Sequence, residues 1–293
     1  MGLGEIISLL VKISIMLLVF GLGLKATWQD ATFLLHHPGL WLRSLLAMNV
    51  VMPIVALGVC TLLGIRPSIE TSLVILMVSP VAPFLPTKQM KLGNDEAYAY
   101  GLLTVQAVLA IVLVPISLLI IARLYGMEVR VVPGTITSLV MLTTVVPLLA
   151  GIGVRVLFPA FSERVADLLI HLAFLVLVLA FLPVLVMRGP ALLAMVGNGT
   201  LLGMVLVSTL GVVVGHLLGG PEQIHRGTLA LATAMRHPGV VLAVVAANRG
   251  DVKEVSAAVL LYLLVGTIVT MLYMKWSSHR HPTHPGGFRR DTA

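Results

Sequence analysis

The sequence predicts an all-α membrane protein, and its composition and its apolar runs lead to that class. Hydrophobic residues make up 58% of the 293 residues and charged residues 11%, whereas soluble domains contain about 25% charged residues. Apolar runs of the length that crosses a bilayer as a helix, roughly 20 residues, recur along the chain. This composition excludes a soluble globular protein, a disordered chain and a nucleic-acid-binding module.

About nine apolar runs are long enough to be membrane spans. They cover residues 5–24, 39–64, 69–90, 97–124, 133–157, 165–187, 201–218, 228–248 and 255–276. The segments between them are too short for a soluble domain, so we expect a single integral membrane domain at residues 1–276. Residues 277–293 are polar and are predicted to form a disordered cytoplasmic tail.

The basic residues predict the orientation in the membrane. The net charge is +7, with 19 Lys and Arg residues, and Lys and Arg collect in the cytoplasmic loops of membrane proteins. With the N-terminus outside, roughly eleven basic residues lie on the inner side and about six on the outer side. We therefore expect a plasma (inner) membrane protein with the N-terminus outside and the C-terminus in the cytoplasm.

Two of the predicted spans are interrupted by proline. The third span contains Pro80, Pro83 and Pro86, and the eighth contains Pro238 followed by Gly239. Each proline removes a backbone donor and clashes with the preceding helical turn, so a cluster of them breaks a helix. Unwound backbone in a bilayer is tolerated only where it is buried in protein or lines a water-filled cavity. The alternative is two ordinary proline kinks.

The positions of the two interrupted spans indicate internal symmetry. They are five spans apart, so they cross the membrane in opposite directions, and each has comparable neighbours. This pattern is typical of secondary transporters built from inverted repeats, in which broken helices meet near the midplane and form the substrate site. We therefore expect two inverted repeats with two discontinuous crossover helices.

The charged residues near the breaks are candidate site residues. Arg236 is about 17 Å along a helix from His225, near the bilayer centre, where an arginine costs ~2.5 to 3.5 kcal/mol on insertion scales. It either binds a ligand or donates to carbonyls freed by the breaks. His237 is either a hydrogen-bonded core histidine or a titrating group. Lys88 either belongs to the site or reaches the membrane interface along its apolar stem.

The expected ligand is an organic anion. All 12 acidic residues lie in loops or near span ends, so the region around Arg236 is predicted to be net positive, and half-helix N-termini add to that potential. The sequence offers no candidate metal site. Other candidate site residues are polar side chains in neighbouring spans, each of which could equally join helices: Asn49, Thr104, Gln106 and Thr233.

Three stretches of the sequence carry a family resemblance. They are LLVFGLGLKATWQDATFLLHHPGLWLRSLLAMNVVMPIVAL near the N-terminus, SPVAPFLPTKQMKLGND at the first break and LALATAMRHPGVVLAVVAANRG at the second. The chain resembles the bile acid:sodium symporter superfamily along nearly its whole length, in a nine-helix form. The resemblance implies a core and a panel of helices from two inverted repeats. It also implies organic-anion substrates such as bile acids, pantoate and keto acids, often carried with sodium.

The sequence departs from that family at both breaks. The family's first crossover has a Gly-Gly turn followed by Ser, Thr or Asn, whereas residues 81–86 read VAPFLP. Its second crossover has a glutamate and a Gln-Asn pair that bind sodium, and here these positions fall near Ala232 and at Arg236 and His237. Hard cations need several oxygen ligands, so the residues present do not support sodium binding. We hypothesise that Arg236, with Lys88, replaces the sodium, leaving coupling to protons through His237 or no coupling.

The leading functional hypothesis is a secondary transporter of a small or amphipathic organic anion that works by alternating access. Its expected partners are that anion and the lipid bilayer, with no cofactor and no nucleic acid. A non-transporting membrane sensor or scaffold of the same fold is the alternative. A membrane-embedded enzyme is disfavoured because the sequence lacks an HExxH pair, a P-loop and a Rossmann glycine pattern.

Overall fold

The computed structural model describes residues 3–87, 95–125, 133–196, 199–248 and 252–280. Within these ranges the chain is almost entirely helical and forms no strand beyond one isolated β-bridge. The predicted fold class, an all-α membrane protein, is confirmed. We number the helices in chain order as α1 (Leu3–Lys25), α2 (Trp28–His36), α3 (Pro38–Leu62), α4 (Pro67–Val78), α5 (Glu96–Tyr125), α6 (133–157), α7 (Pro159–Val196), α8 (Thr200–Leu218), α9 (Gln223–Ala234), α10 (Pro238–Ala247) and α11 (Val252–Arg280).

Two of the long helices contain a π turn, in which each N–H donates five residues back instead of four. The π turn of α3 is Leu46–Val51 and that of α6 is Met141–Val145. Each is followed within two residues by a proline, Pro53 and Pro147. Since proline has no N–H and clashes with the carbonyl one turn earlier, it favours this local widening of the helix.

Six of the described helices are long and apolar enough to cross a membrane. The number is seven if α1 and α2, which are bent by 86° at the turn between them, count as one span. Helices α4, α9 and α10 contain 12, 12 and 10 residues, so none of them crosses a bilayer alone. The predicted total of about nine counts α4 and the pair α9 and α10 as spans broken in the middle, and that total stays a prediction.

Three helix boundaries differ from those expected. Helix α2 lies in a segment predicted to be a loop, and a capping box starts it: the Thr27 hydroxyl accepts from the Asp30 N–H at 3.1 Å, and the Asp30 carboxylate accepts from the Thr27 N–H at 2.7 Å. Helix α7 has 38 residues and continues past the predicted 165–187 on both sides. Helix α11 ends at Arg280, four residues beyond the boundary expected at 276, and the rest of the predicted tail lies outside the described residues.

Helices α1, α6 and α7 pack together, and small residues allow α1 to approach α6 closely. Gly23 of α1 faces Gly151 of α6, and a Cβ atom added to Gly23 would run into the Leu148 carbonyl oxygen. The remaining long helices pack around α4 and α9, the two helices that end inside the protein. Lipid-facing apolar side chains are most numerous along α7.

Helix α8 holds α9 in place through a stripe of glycines. Gly211 and Gly215 face α9, and a Cβ atom on Gly215 would lie 2.5 Å from the Ala230 Cα. The Thr233 hydroxyl donates to the Gly211 carbonyl at 2.6 Å across this interface. This small-xxx-small spacing lets helix backbones approach closely in a membrane, and it fixes α9 up to its end at Ala234.

We predict that Gly215→Ala destabilises the protein by about 1–3 kcal/mol, because the added methyl group has to push α8 and α9 apart. The measurement is the melting temperature of the detergent-purified protein. Gly153→Ala in α6 is the matched control, because nothing lies within 4 Å of the added Cβ. Equal melting temperatures for the two variants would contradict this account of the packing.

Candidate functional site

The two predicted breaks lie side by side in the structure. Helix α4 ends at Val78 and α9 at Ala234, and the chain is non-helical at 79–84 and at 235–237. The two segments run antiparallel and form a β-bridge between Val81 and Arg236. The Ala82 N–H donates to the Met235 carbonyl at 3.3 Å, and the His237 N–H donates to the Pro80 carbonyl at 2.9 Å. We call residues 79–84 and 235–237 the crossing.

The prolines have different places at the crossing. Pro80 and Pro83 lie within the first non-helical segment, whereas Pro86 lies in the short helical stretch 85–87 that follows it. There a proline costs little, because the first turn of a helix does not use that N–H. Pro238 and Gly239 are the first two residues of α10. The breaks therefore end where a proline can begin a new helix.

Arg236 is fully buried at the crossing, with 0% of its surface exposed. One terminal nitrogen, Nη1, donates to the Ser79 carbonyl at 3.2 Å, and Nη2 donates to the Met48 carbonyl at 2.7 Å. The Nε–H has no partner within the described chain. None of the ion pairs found there involves Arg236. Its charge is therefore balanced by carbonyl oxygens and not by a carboxylate.

Both carbonyls that contact Arg236 are left without a helical partner by proline. In a continuous helix the Ser79 carbonyl would accept from residue 83, which is Pro83. In the π turn of α3 the Met52 N–H donates to the Ala47 carbonyl, five residues back. The next carbonyl in that pattern belongs to Met48 and would need the N–H that Pro53 lacks. Arg236 thus donates to two acceptors that the backbone cannot satisfy.

Tyr262 of α11 satisfies a third such carbonyl. Sequence reasoning missed this residue, because nothing marks it beyond being a tyrosine in an apolar run. Its hydroxyl donates to the Ala234 carbonyl at 3.0 Å, and the residue is 1% exposed. In a continuous helix this carbonyl would accept from residue 238, which is Pro238. A buried carbonyl left unpaired costs about 1–3 kcal/mol, so Tyr262 stabilises the end of α9.

Helix ends place opposite partial charges at the crossing. Helices α4 and α9 both end there, and each helix C-terminus carries a partial negative charge that favours the Arg236 guanidinium. Helix α10 begins there at Pro238, and its N-terminus carries a partial positive charge. The cationic side chain therefore lies at the negative ends, and the positive end of α10 remains for a negative group.

His237 precedes α10 and is 2% exposed. Its Nδ1 accepts from the Gly239 N–H at 3.1 Å, so the ring is in the form that has its proton on Nε2. That Nε2–H has no partner within the described residues. A Cβ atom on Gly239 would lie 2.9 Å from the His237 ring and 3.7 Å from Leu139 of α6, which places the ring beside α6.

The other predicted site residues fall into two groups. The Asn49 amide donates to the Gln106 Oε1 at 3.1 Å, which joins α3 to α5 one residue from the Met48 carbonyl that Arg236 contacts. The hydroxyls of Thr104 and Thr233 instead donate to backbone carbonyls, those of Tyr100 and Gly211. Lys88 lies outside the described residues. A ligand-binding role for each of these residues stays a prediction.

A large polar cavity opens at one end of the helices, separate from the crossing. Its volume is about 1070 Å³, and a hydrogen bond between His225 Nε2 and the Asp95 carboxylate at 2.9 Å lies in its wall. The Tyr98 ring packs edge-on against His225, and its hydroxyl lies 2.7 Å from that of Ser44. Tyr98 belongs to the same cluster of buried apolar side chains as Val81 of the crossing. Packed side chains therefore separate the cavity from the crossing.

The sequence of this chain matches one known protein family. The model of the sodium bile acid symporter family matches residues 12–195, more than half of the chain and including the first break. The chain belongs to this family. It is an integral membrane protein of the bile acid:sodium symporter type, and members of this family are transporters. The family resemblance seen in the sequence is confirmed. None of the curated proteins matches the chain.

We predict that Tyr262→Phe lowers the free energy of unfolding by about 1–3 kcal/mol, because it leaves the buried Ala234 carbonyl without a donor. The matched control is Tyr100→Phe: Tyr100 is equally buried, but its hydroxyl has no partner within the described residues. That variant is expected to be as stable as the parent or slightly more so. Thermal unfolding in detergent measures both, and a larger loss for Tyr100→Phe would contradict the role given to Tyr262.

Proposed function

We propose that the protein carries a small or amphipathic organic anion across the membrane by alternating access, with the anion bound at the crossing. One observation carries the proposal. Two neighbouring side chains at the crossing, Arg236 and His237, each have a buried N–H donor without an acceptor in the described chain. An anion supplies the acceptor oxygens and the negative charge that this region lacks.

The two unpaired donors at the crossing are energetically costly. A buried donor without an acceptor costs about 1–3 kcal/mol and more when the group is charged, and native proteins leave few of them. The Arg236 Nε–H and the His237 Nε2–H are two within one short segment. A bound carboxylate or sulfonate would accept from such donors, and hydrogen bonds to charged groups are stronger than those between neutral ones.

The positive end of α10 supports the same ligand class. The Gly239 N–H is used by His237, and the partial charge of the helix start adds to that of the guanidinium. The apolar side chain of Leu139 in α6 lies beside Gly239 at this place. This apolar surface suits the hydrocarbon part of an amphipathic anion, while the charged donors fix its head group.

The proposed orientation gives the polar cavity a role. With the C-terminus in the cytoplasm, Lys25 and Arg43 lie on the inner side, and both line the cavity of about 1070 Å³. The cavity then opens to the cytoplasm and provides an entrance between α1 and the helices around the crossing.

We predict that His237→Leu weakens binding of the transported anion by about 10- to 100-fold, because a hydrogen bond to a charged group contributes about 1.5–3 kcal/mol. Arg236→Lys is expected to keep part of the affinity, since it retains the charge but not the planar donor geometry. The measurement is thermal stabilisation of the purified protein by pantoate, pyruvate and taurocholate. A ligand at about 100 times its Kd adds about 2.7 kcal/mol to the stability.

The matched control is His171→Leu, because His171 is exposed on α7 and its Nδ1 contacts only the Asp167 carbonyl of its own helix. This variant is expected to bind like the parent. The proposal fails if His237→Leu and His171→Leu bind a stabilising anion equally well, or if carboxylates, sulfonates and bile salts all leave the parent unstabilised.

A further inference from the structure

Arg236 lies where a transported cation is expected. In secondary transporters with broken helices, unwound carbonyls and half-helix C-termini coordinate the coupling cation, whereas half-helix N-termini face the anionic substrate. Here Ser79 is the C-cap residue of α4, and its carbonyl and the Met48 carbonyl both accept from the Arg236 guanidinium. The guanidinium therefore occupies oxygen atoms that a small cation would use.

We propose that Arg236 is a permanent internal cation of the crossing, so that the protein transports its anion without sodium and moves one net negative charge per cycle. This inference rests on the proposed anion transport. It separates two roles within one segment. The terminal nitrogens of Arg236 occupy the cation position, and its Nε–H, which has no partner within the described chain, is left for the anion.

The side chains of the crossing support a resident cation and not an exchangeable one. A guanidinium stays charged at every accessible pH and is tied to the chain. Sodium, as a hard cation, needs several oxygen ligands, and residues 81–84 have no oxygen in their side chains. The one hydroxyl within the crossing, that of Ser79, donates to the Ile75 carbonyl at 2.8 Å. The Ser79 and Met48 carbonyls both accept from Arg236.

The charge balance of the transport cycle follows from this arrangement. Arg236 returns with the empty carrier, so its charge contributes nothing to the net transfer, and a monovalent anion moves its own charge uncompensated. His237 offers no proton to compensate it, because its Nδ1 accepts from the Gly239 N–H and the ring is neutral. The buried acidic residue Glu70 is remote from the crossing, because it lies in the first turn of α4, about 13 Å along the helix from Ser79.

The membrane potential then determines the direction of net transport. A single charge moved through a potential of about 100 mV shifts the equilibrium roughly fifty-fold toward the positive side. A cell membrane that is negative inside therefore drives the anion out of the cell.

The first test needs no ligand. The melting temperature of the parent is expected to be equal in sodium, potassium and N-methylglucamine chloride. Arg236→Gln is expected to melt at a lower temperature and to regain stability in sodium but not in potassium, because the released carbonyls and the glutamine oxygen can coordinate sodium. The matched control, Arg66→Gln, changes a half-exposed arginine that pairs with Glu254 at 3.3 Å and is expected to ignore the cation.

The second test measures charge movement. The full chain is reconstituted in liposomes with radiolabelled pantoate or taurocholate, and a potassium gradient with valinomycin sets the potential. The anion is expected to accumulate on the positive side, about fifty-fold at about 100 mV, and replacing sodium by N-methylglucamine is expected to change nothing. Arg236→Lys, which keeps the charge, is expected to remain independent of sodium.

Several results overturn the inference: stabilisation of the parent by sodium over potassium, an Arg236→Gln variant that folds but ignores sodium, or anion flux that requires sodium. Flux that follows a proton gradient without responding to the potential also overturns it. Failure of the proposed anion transport gives a different result. In that case no anion binds or is transported, while the melting temperatures in the different salts still show whether the protein binds sodium. If Arg236→Gln does not fold, the parent's salt and potential dependence decide the question.

Discussion

The hydrogen bonds between the Arg236 guanidinium and two backbone carbonyls are the interaction on which the crossing depends. Prolines at 53 and 83 remove the N–H groups that the Met48 and Ser79 carbonyls would otherwise use, and Arg236 donates to both. Tyr262 does the same for the Ala234 carbonyl, which Pro238 leaves free. In the hydrocarbon region no water replaces such partners. The side chains of Arg236 and Tyr262 thus allow α4 and α9 to end inside a membrane protein.

This solution also explains why the broken helices are held so firmly by their neighbours. The hydrogen bonds of these three carbonyls require that α3, α4, α9 and α11 keep their relative positions. Helix α9 is held by the close packing of α8 against it through Gly211 and Gly215. The backbone hydrogen bonds at Ala82 and His237 tie the two breaks to each other. The two breaks are therefore tied to each other and to their neighbours, and in the proposed alternating-access cycle the motion is expected around the crossing and not within it.

The sequence predicted the breaks because the effect of proline is local, and it predicted the burial of Arg236 because depth along a helix follows from counting residues. Donation to carbonyls freed by the breaks was one of the two roles predicted for Arg236, and the Ser79 carbonyl is such an acceptor, but the second acceptor was not predicted. The Met48 carbonyl becomes available through a π turn in α3, about 188 residues away in sequence, and only the packing of α3 against the crossing brings it there. Tyr262 was missed for the same reason. The start of α2 was readable from Thr27 and Asp30, but the helix is too short for its apolar periodicity to stand out.

In the proposed mechanism the charge of Arg236 separates two properties of a transporter, the choice of the anion and the energy source of transport. In this mechanism the anion is selected by unpaired donors and apolar walls, whereas the energy source depends on whether the compensating cation is bound or covalently attached. A bound cation has to be supplied by a gradient in every cycle, but an arginine returns with the carrier at no electrochemical cost and leaves the membrane potential as the driving force. If Arg236 serves as the cation through its terminal nitrogens, as proposed, one substitution at this position changes the coupling while the rest of the proposed site keeps the same anion.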